Sequence, residues 1–125
     1  RKIGLQELTQ CRWVLQPKES LIRIAFEQAF HVHGYMPPRP FVEALPFATN
    51  LSVVRSANAM TIAPRSAIQA PENVGSVIAL RTELKVDVPP LAVFYKTGTL
   101  IRSPVRALFD LLTVSSSRQP ALAHP

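Results

Sequence analysis

The sequence predicts an α/β fold built around a largely parallel sheet. Three observations carry this. Short apolar runs rich in strand formers recur along the chain: Arg12-Trp13-Val14-Leu15, Phe41-Val42-Glu43-Ala44, Met60-Thr61-Ile62-Ala63 and Leu91-Ala92-Val93-Phe94-Tyr95. Between them lie segments whose apolar residues repeat at helical spacing. Prolines fall at the junctions, where they break or start elements. A strand that reaches the next strand through a helix needs a crossover, and crossovers favour parallel pairing.

Each element follows from its residues. Residues 5–10 read as a short helical turn or loop, with Leu5 and Leu8 three apart. Arg12-Trp13-Val14-Leu15 is too short for a helix and ends at Pro17, so it reads as a buried strand. Ser20 can cap a helix over 21–33, which places Ile22, Ala25, Phe26, Ala29 and Phe30 on one face and is closed by Gly34. Met36-Pro37-Pro38-Arg39-Pro40 is extended, because successive prolines fix φ and restrict their predecessors. It leads into a second strand at 41–44. Pro46 can start a helix over 47–57, with Phe47, Leu51 and Val54 at helical spacing. A third strand at 60–63 stops at Pro64, which opens a short helix over 65–70. Residues 77–80 and 84–88 are weaker strand candidates, and 91–95 a clear one. Ser103-Pro104 signals a helix start, after which Val105, Leu108, Phe109 and Leu112 form one apolar stripe. The residues after Ser115 have no periodicity and are expected to be disordered.

Composition narrows the class. The chain has 125 residues, of which 47% are hydrophobic and 18% charged. That is a globular balance for one domain or a piece of a larger one. No apolar run approaches the roughly 20 residues that cross a bilayer, and the first ten residues lack a secretory h-region. The start at Arg1 rather than Met reads as a fragment or a processed product. A lone cysteine, Cys11, excludes an internal disulfide and reads as a small apolar residue. The net charge of +6 comes from singly spread Lys and Arg, which reads as solvated surface rather than a nucleic-acid face.

The chemistry-bearing residues form no catalytic set. His31 and His33 are about 200° apart on a helix and do not share a metal easily. No two carboxylates have the spacing of a catalytic pair. Four glycines assemble neither a GxGxxG nor a P-loop, and no serine has a nucleophile-elbow context. No catalytic residue, metal or cofactor is expected. Two strand-to-helix junctions remain, Pro17-Lys18-Glu19-Ser20 and Ala44-Leu45-Pro46-Phe47. Each leads into a helix N-terminus, whose free N–H groups suit a carboxylate or other anion.

Five blocks in order, over roughly residues 5–113, resemble the ligand-sensing C-terminal domain of LysR-type transcriptional regulators. Leu5-Gln6-Glu7-Leu8 with Arg12-Trp13-Val14-Leu15-Gln16-Pro17 is similar to the family's L-x-x-L … P-W-V-L-P-P. Residues 21–34 followed by Pro37-Pro38-Arg39-Pro40-Phe41-Val42-Glu43 are similar to its helix, glycine and P-x-x-x-V-E run. Residues 51–64 match its helix leading to x-I-A-P. Pro89-Pro90-Leu91-Ala92-Val93-Phe94-Tyr95-Lys96 looks like P-P-L-x-L-V-x-R. Ser103-Pro104-Val105-Arg106-Ala107-Leu108-Phe109-Asp110-Leu111-Leu112 is close to the family's last helix. Where the family often has Gly-x-Gly before the third strand, this chain has Ala57-Asn58-Ala59.

The resemblance implies a Rossmann-like, periplasmic-binding-protein-type α/β subdomain with a mostly parallel or mixed sheet flanked by helices. Residues 1–113 would be a partial effector-binding domain, with 12–90 as the second subdomain, 91–113 as the crossover strand and helix returning to the first, and 114–125 as a disordered tail. It implies no enzyme, but an effector-sensing and oligomerisation module of a cytoplasmic transcription factor. The effector would be a small molecule, often an organic acid, bound at Lys18, Glu19, Ser20, Ala44, Leu45, Pro46 and Phe47. DNA contact is expected only through an N-terminal winged helix-turn-helix that this chain lacks. The intact protein is expected to be a homodimer or homotetramer, mating through residues 47–57 and 60–63, with no membrane partner. The alternative is a fragment of a solute-binding protein of periplasmic type, which shares this architecture.

Overall fold

The computed structural model of the chain describes residues 2–89, 94, 96 and 103–117. The chain divides into two compact units, 1–89 and 90–125. The described elements are α1 (Leu5–Thr9), β1 (Val14–Leu15), α2 (Leu21–His31), β2 (Val42–Glu43), α3 (Phe47–Ala57), α4 (Arg65–Ile68) and α5 (Ser103–Ser117).

The first unit is an α/β layer built on β1. β1 and β2 pair in parallel, Val14 with Val42 and Leu15 with Glu43. On the other side of β1, Met60 makes a parallel bridge to Trp13. There the Met60 N–H donates to the Arg12 carbonyl at 2.8 Å and the Val14 N–H to the Met60 carbonyl at 2.9 Å. The spatial order is therefore β2, β1, Met60. The chain leaves β1 through α2 to one side, then crosses back through α3 to the other. Right-handed crossovers in opposite directions put α2 and α3 on opposite faces.

Side-chain contacts agree. Trp13 and Leu15 cluster with Leu5, Leu8, Phe26 and Phe30. The Trp13 and Phe26 rings lie 4.9 Å apart, and Phe26 meets Phe30 edge-on at 5.0 Å. The indole N–H of Trp13 is satisfied by the Leu8 carbonyl at 2.8 Å. Each buried side chain of this size stabilises by about 1.5–3 kcal/mol relative to exposure. Val14, which points to the other face by alternation, is fully buried, as is Leu51 of α3, the helix that packs on β1.

α2 behaves as its pattern demands. Ser20 Oγ accepts the Arg23 N–H at 3.1 Å. Ala25, Phe26, Ala29 and Phe30 are buried and Ile22 is half-buried. Gly34 closes the helix at φ 76°, and the Tyr35 N–H returns to the Phe30 carbonyl at 3.0 Å. α3 spans the expected residues. It ends on Asn58, the one described non-glycine residue at positive φ (46°). Between the two alanines that stand where the family often has glycines, asparagine supplies the left-handed turn at low cost.

Several expectations are corrected. The strand at 60–63 is a single bridge at Met60: Pro64 has no N–H and closes the segment, and residues 61–63 before it make no strand pairing. Neither 77–80 nor 84–88 forms a strand. The nearest pairing is the Ile3–Thr82 bridge, which falls between them. Residues 84–87 still alternate, with Leu84 and Val86 packed on the core and Lys85 and Asp87 exposed. Their period of two was legible without a partner to pair with. The predicted strand at 91–95 lies outside the described residues apart from Phe94, which is not in a strand.

The second unit contributes α5. It continues to Ser117, so the tail expected to be disordered from 114 is helical over 114–117, and residues 118–125 lie outside the described residues. An exposed Arg106–Asp110 pair at 3.3 Å supports it one turn apart. Of its apolar stripe, Val105 and Phe109 are half-buried while Leu108 and Leu112 are exposed. No helix among the described residues is long and apolar enough to cross a membrane.

Candidate functional site

In open parallel sheets, ligands bind beyond the carboxyl ends of the strands, where the strand order reverses. Here the reversal falls at β1, whose neighbours β2 and Met60 are reached in opposite directions. The residues following β1 and β2 thus define the edge at which to look.

Both predicted loops lie there. Lys18 and Glu19 form an exposed turn after β1, and Ser20 is the cap of α2. After β2, Ala44 is half-buried, Leu45 is 65% exposed, Pro46 is the exposed N-cap of α3, and Phe47 is half-buried in its first turn. The Ala44 N–H donates to the Leu15 carbonyl at 3.0 Å, which fastens the second loop to the end of β1. The structure therefore brings the two loops to one edge. It also shows what each residue already does. Ser20 Oγ is engaged in the cap, and its carbonyl accepts the Ile24 N–H at 3.0 Å. The loop after β2 offers apolar side chains and no side-chain donor.

The edge is braced by Arg23, a residue the pattern did not single out. Only 3% exposed, its guanidinium donates to Glu27 at 2.6 Å, to Glu43 at 3.2 Å and to the Gln16 carbonyl at 3.0 Å. One side chain thus ties α2 to the ends of both strands. Glu43, the last residue of β2, is one arm of this clamp. The signal was present: Arg23 lies three, four and seven residues before Phe26, Glu27 and Phe30, so it shares their face and has a carboxylate one turn away.

Two further residues were missed. Gln16, the first residue past β1, is 2% exposed, and Asn50, in the first turn of α3, is 0% exposed. The nitrogen and oxygen of both amides are buried without a hydrogen-bond partner. A buried amide with no partner costs about 1–3 kcal/mol per unmet group, so such groups are uncommon in stable cores and mark a place to explain.

Other chemistry-bearing residues have plain roles. His33 Nδ1 lies 2.9 Å from the Ala29 carbonyl at the end of α2. The Cys11 thiol, half-buried, donates to the Glu7 carbonyl at 3.3 Å. Among the described residues no cluster of His, Cys, Asp and Glu could hold a metal.

A parallel sheet with helices on both faces and two loops gathered at its carboxyl edge defines an open α/β unit of periplasmic-binding-protein type. The LysR substrate binding domain family matches residues 1–115, and the chain belongs to that family. Among curated proteins it is similar to the HTH-type transcriptional regulator GbpR of Azospirillum brasilense, 27% identical over 116 residues. The match covers 93% of this chain and 34% of GbpR, so the chain spans about a third of the length of that relative. No solved structure matches it.

Proposed function

We propose that this chain is the effector-sensing part of a LysR-type DNA-binding transcriptional regulator, without catalytic activity, and corresponds mainly to the second subdomain of the sensor. A small molecule, with organic acids as the first class to test, binds at Lys18, Glu19, Ser20, Ala44, Leu45, Pro46 and Phe47. The observation that carries this reading is the meeting of the two loops at one edge of adjacent parallel strands, each opening an eleven-residue helix. The Leu21 and Ile22 N–H groups of α2 have no partner among the described residues and suit an anion beside Lys18. The regulator acts in the cytoplasm and touches DNA through a separate winged helix-turn-helix. The similarity to GbpR, an HTH-type transcriptional regulator, favours this reading over a solute-binding protein.

The regulator assembles as a homodimer or homotetramer. The outward residues of α3, Thr49, Ser52, Arg55 and Ser56, are polar and exposed. Leu21 and Ile24 of α2, with Val32 and Met36 beyond it, are exposed and apolar. The surface expected from the sequence, residues 47–57 and 60–63, remains one candidate for mating with a second copy, and the exposed apolar side chains of α2 are the other, since exposed apolar surface is where association gains most.

The test is operator binding by the full-length regulator, followed by fluorescence anisotropy across a panel of organic acids. A ligand can shift the regulator only through different affinities for its states. At least one acid should change operator affinity, and Leu45→Asp and Lys18→Ala, both at exposed positions, should abolish the response. A response unchanged in both variants would remove the site assignment.

A further inference from the structure

We infer that Gln16 and Asn50 form a paired-amide site that reads hydroxyl groups of the ligand. The inference rests on the sensor reading above and narrows its ligand class. Along β1, Trp13 and Leu15 face the aromatic cluster, so Val14 and Gln16 face the opposite layer by the two-residue period of a strand. That layer is covered by α3, which packs on β1 and buries Asn50 and Leu51. Gln16 and Asn50 thus share one layer, Gln16 just past the carboxyl end of β1 and Asn50 in the first turn of the helix opposite. This is also the end of β1 at which the strand order reverses.

The chemistry follows from what the amides offer. Each carries a donor nitrogen and an acceptor oxygen, and all four atoms are unpartnered. A carboxylate only accepts, so it would satisfy the two nitrogens and leave both oxygens unmet. A hydroxyl both donates and accepts, so two hydroxyls can complete both amides. Among the described residues, the cations of this layer lie toward its other end and are engaged: Arg12 donates to the Ala57 carbonyl at the end of α3 and Arg55 to Asn73, while Arg23 lies in the opposite layer, committed to Glu27, Glu43 and the Gln16 carbonyl. The portion of ligand held here is therefore neutral and hydroxylated. Either a neutral polyol or a hydroxylated acid, with its carboxylate toward Lys18, supplies this chemistry.

Titration calorimetry on the full-length regulator decides it, with D-gluconate, D-glucitol and hexanoate as probes. Gluconate or glucitol should bind, with hexanoate at least about tenfold weaker, since a site built to bond hydroxyls rejects a ligand lacking them. The stronger hydroxylated probe identifies which of the two sources the site takes. Gln16→Met and Asn50→Leu should each weaken that probe at least about tenfold while leaving the ligand-free melting temperature equal or higher, because apolar side chains of similar size remove unmet polar groups. A purely structural amide pair would not couple unchanged melting to lost binding. The inference is overturned if neither hydroxylated probe binds, if hexanoate binds as tightly, or if both variants bind as wild type. A hexanoate response insensitive to both variants would remove the amide assignment and leave the sensor reading standing.

Discussion

The two faces of β1 are built on different principles. One is dry and aromatic: Trp13 and Leu15 pack on Phe26 and Phe30, and the polar atom of Trp13 is paired. The other mixes Val14 and Leu51 with two amides whose polar atoms have no partner. The first face is organised for stability. The second carries a standing cost, and a fold tolerates such a cost where a site needs groups ready to bond something else. Arg23 stands on the stable side of this division, since each of its bonds holds the edge in place.

The contrast can be broken by substitution, and its largest test is Phe26→Ala. Emptying this position between Trp13 and Phe30 should destabilise by about 3–5 kcal/mol, measured by urea unfolding of the full chain. Asn50→Leu on the opposite face should move stability the other way or not at all. If both changes destabilised alike, the two faces would be equivalent and the comparison would fail.

Arg23→Ala comes next. It removes three bonds at once, but Glu27 and Glu43 are partly exposed and can be rehydrated, so the loss should be about 2 kcal/mol, below that for a fully buried ion pair. Amide exchange would sharpen the result, since protection should fall at the Ala44 N–H that fastens the loop after β2 to β1.

Ser20→Ala is the smallest change. Losing the cap of α2 should cost about 1 kcal/mol in the same unfolding assay, whereas Ser20→Gly should cost only a few tenths. A loss above that of Arg23→Ala would show that Ser20 does more than cap.

Much of the fold was legible in the residues. α2 announced itself through Ser20, its apolar spacing and Gly34, and α3 through Pro46 and its own stripe, because capping and burial at 3.6-residue spacing are local properties of a chain. The loops at 18–20 and 44–47 were legible for the same reason: they lie between elements whose limits the sequence marks. The extended segments were less so. Residues 60–63 and 84–88 carry strand patterns, yet a strand exists only where a partner backbone is in register, and one proline or one misplaced bridge removes it.

By itself, then, the sequence determined the helices α2 and α3 with the two strands they connect, the family and the edge where two helix-opening loops would meet. Only the tertiary structure decided that Arg23 is an inward clamp, that Met60 makes one bridge rather than a strand, and that Gln16 and Asn50 share a layer without partners. The physical reason is the reach of the interactions concerned. Caps, turns and amphipathic spacing act over a few residues, whereas the pairing of a backbone group or a buried amide depends on atoms that only folding brings into range.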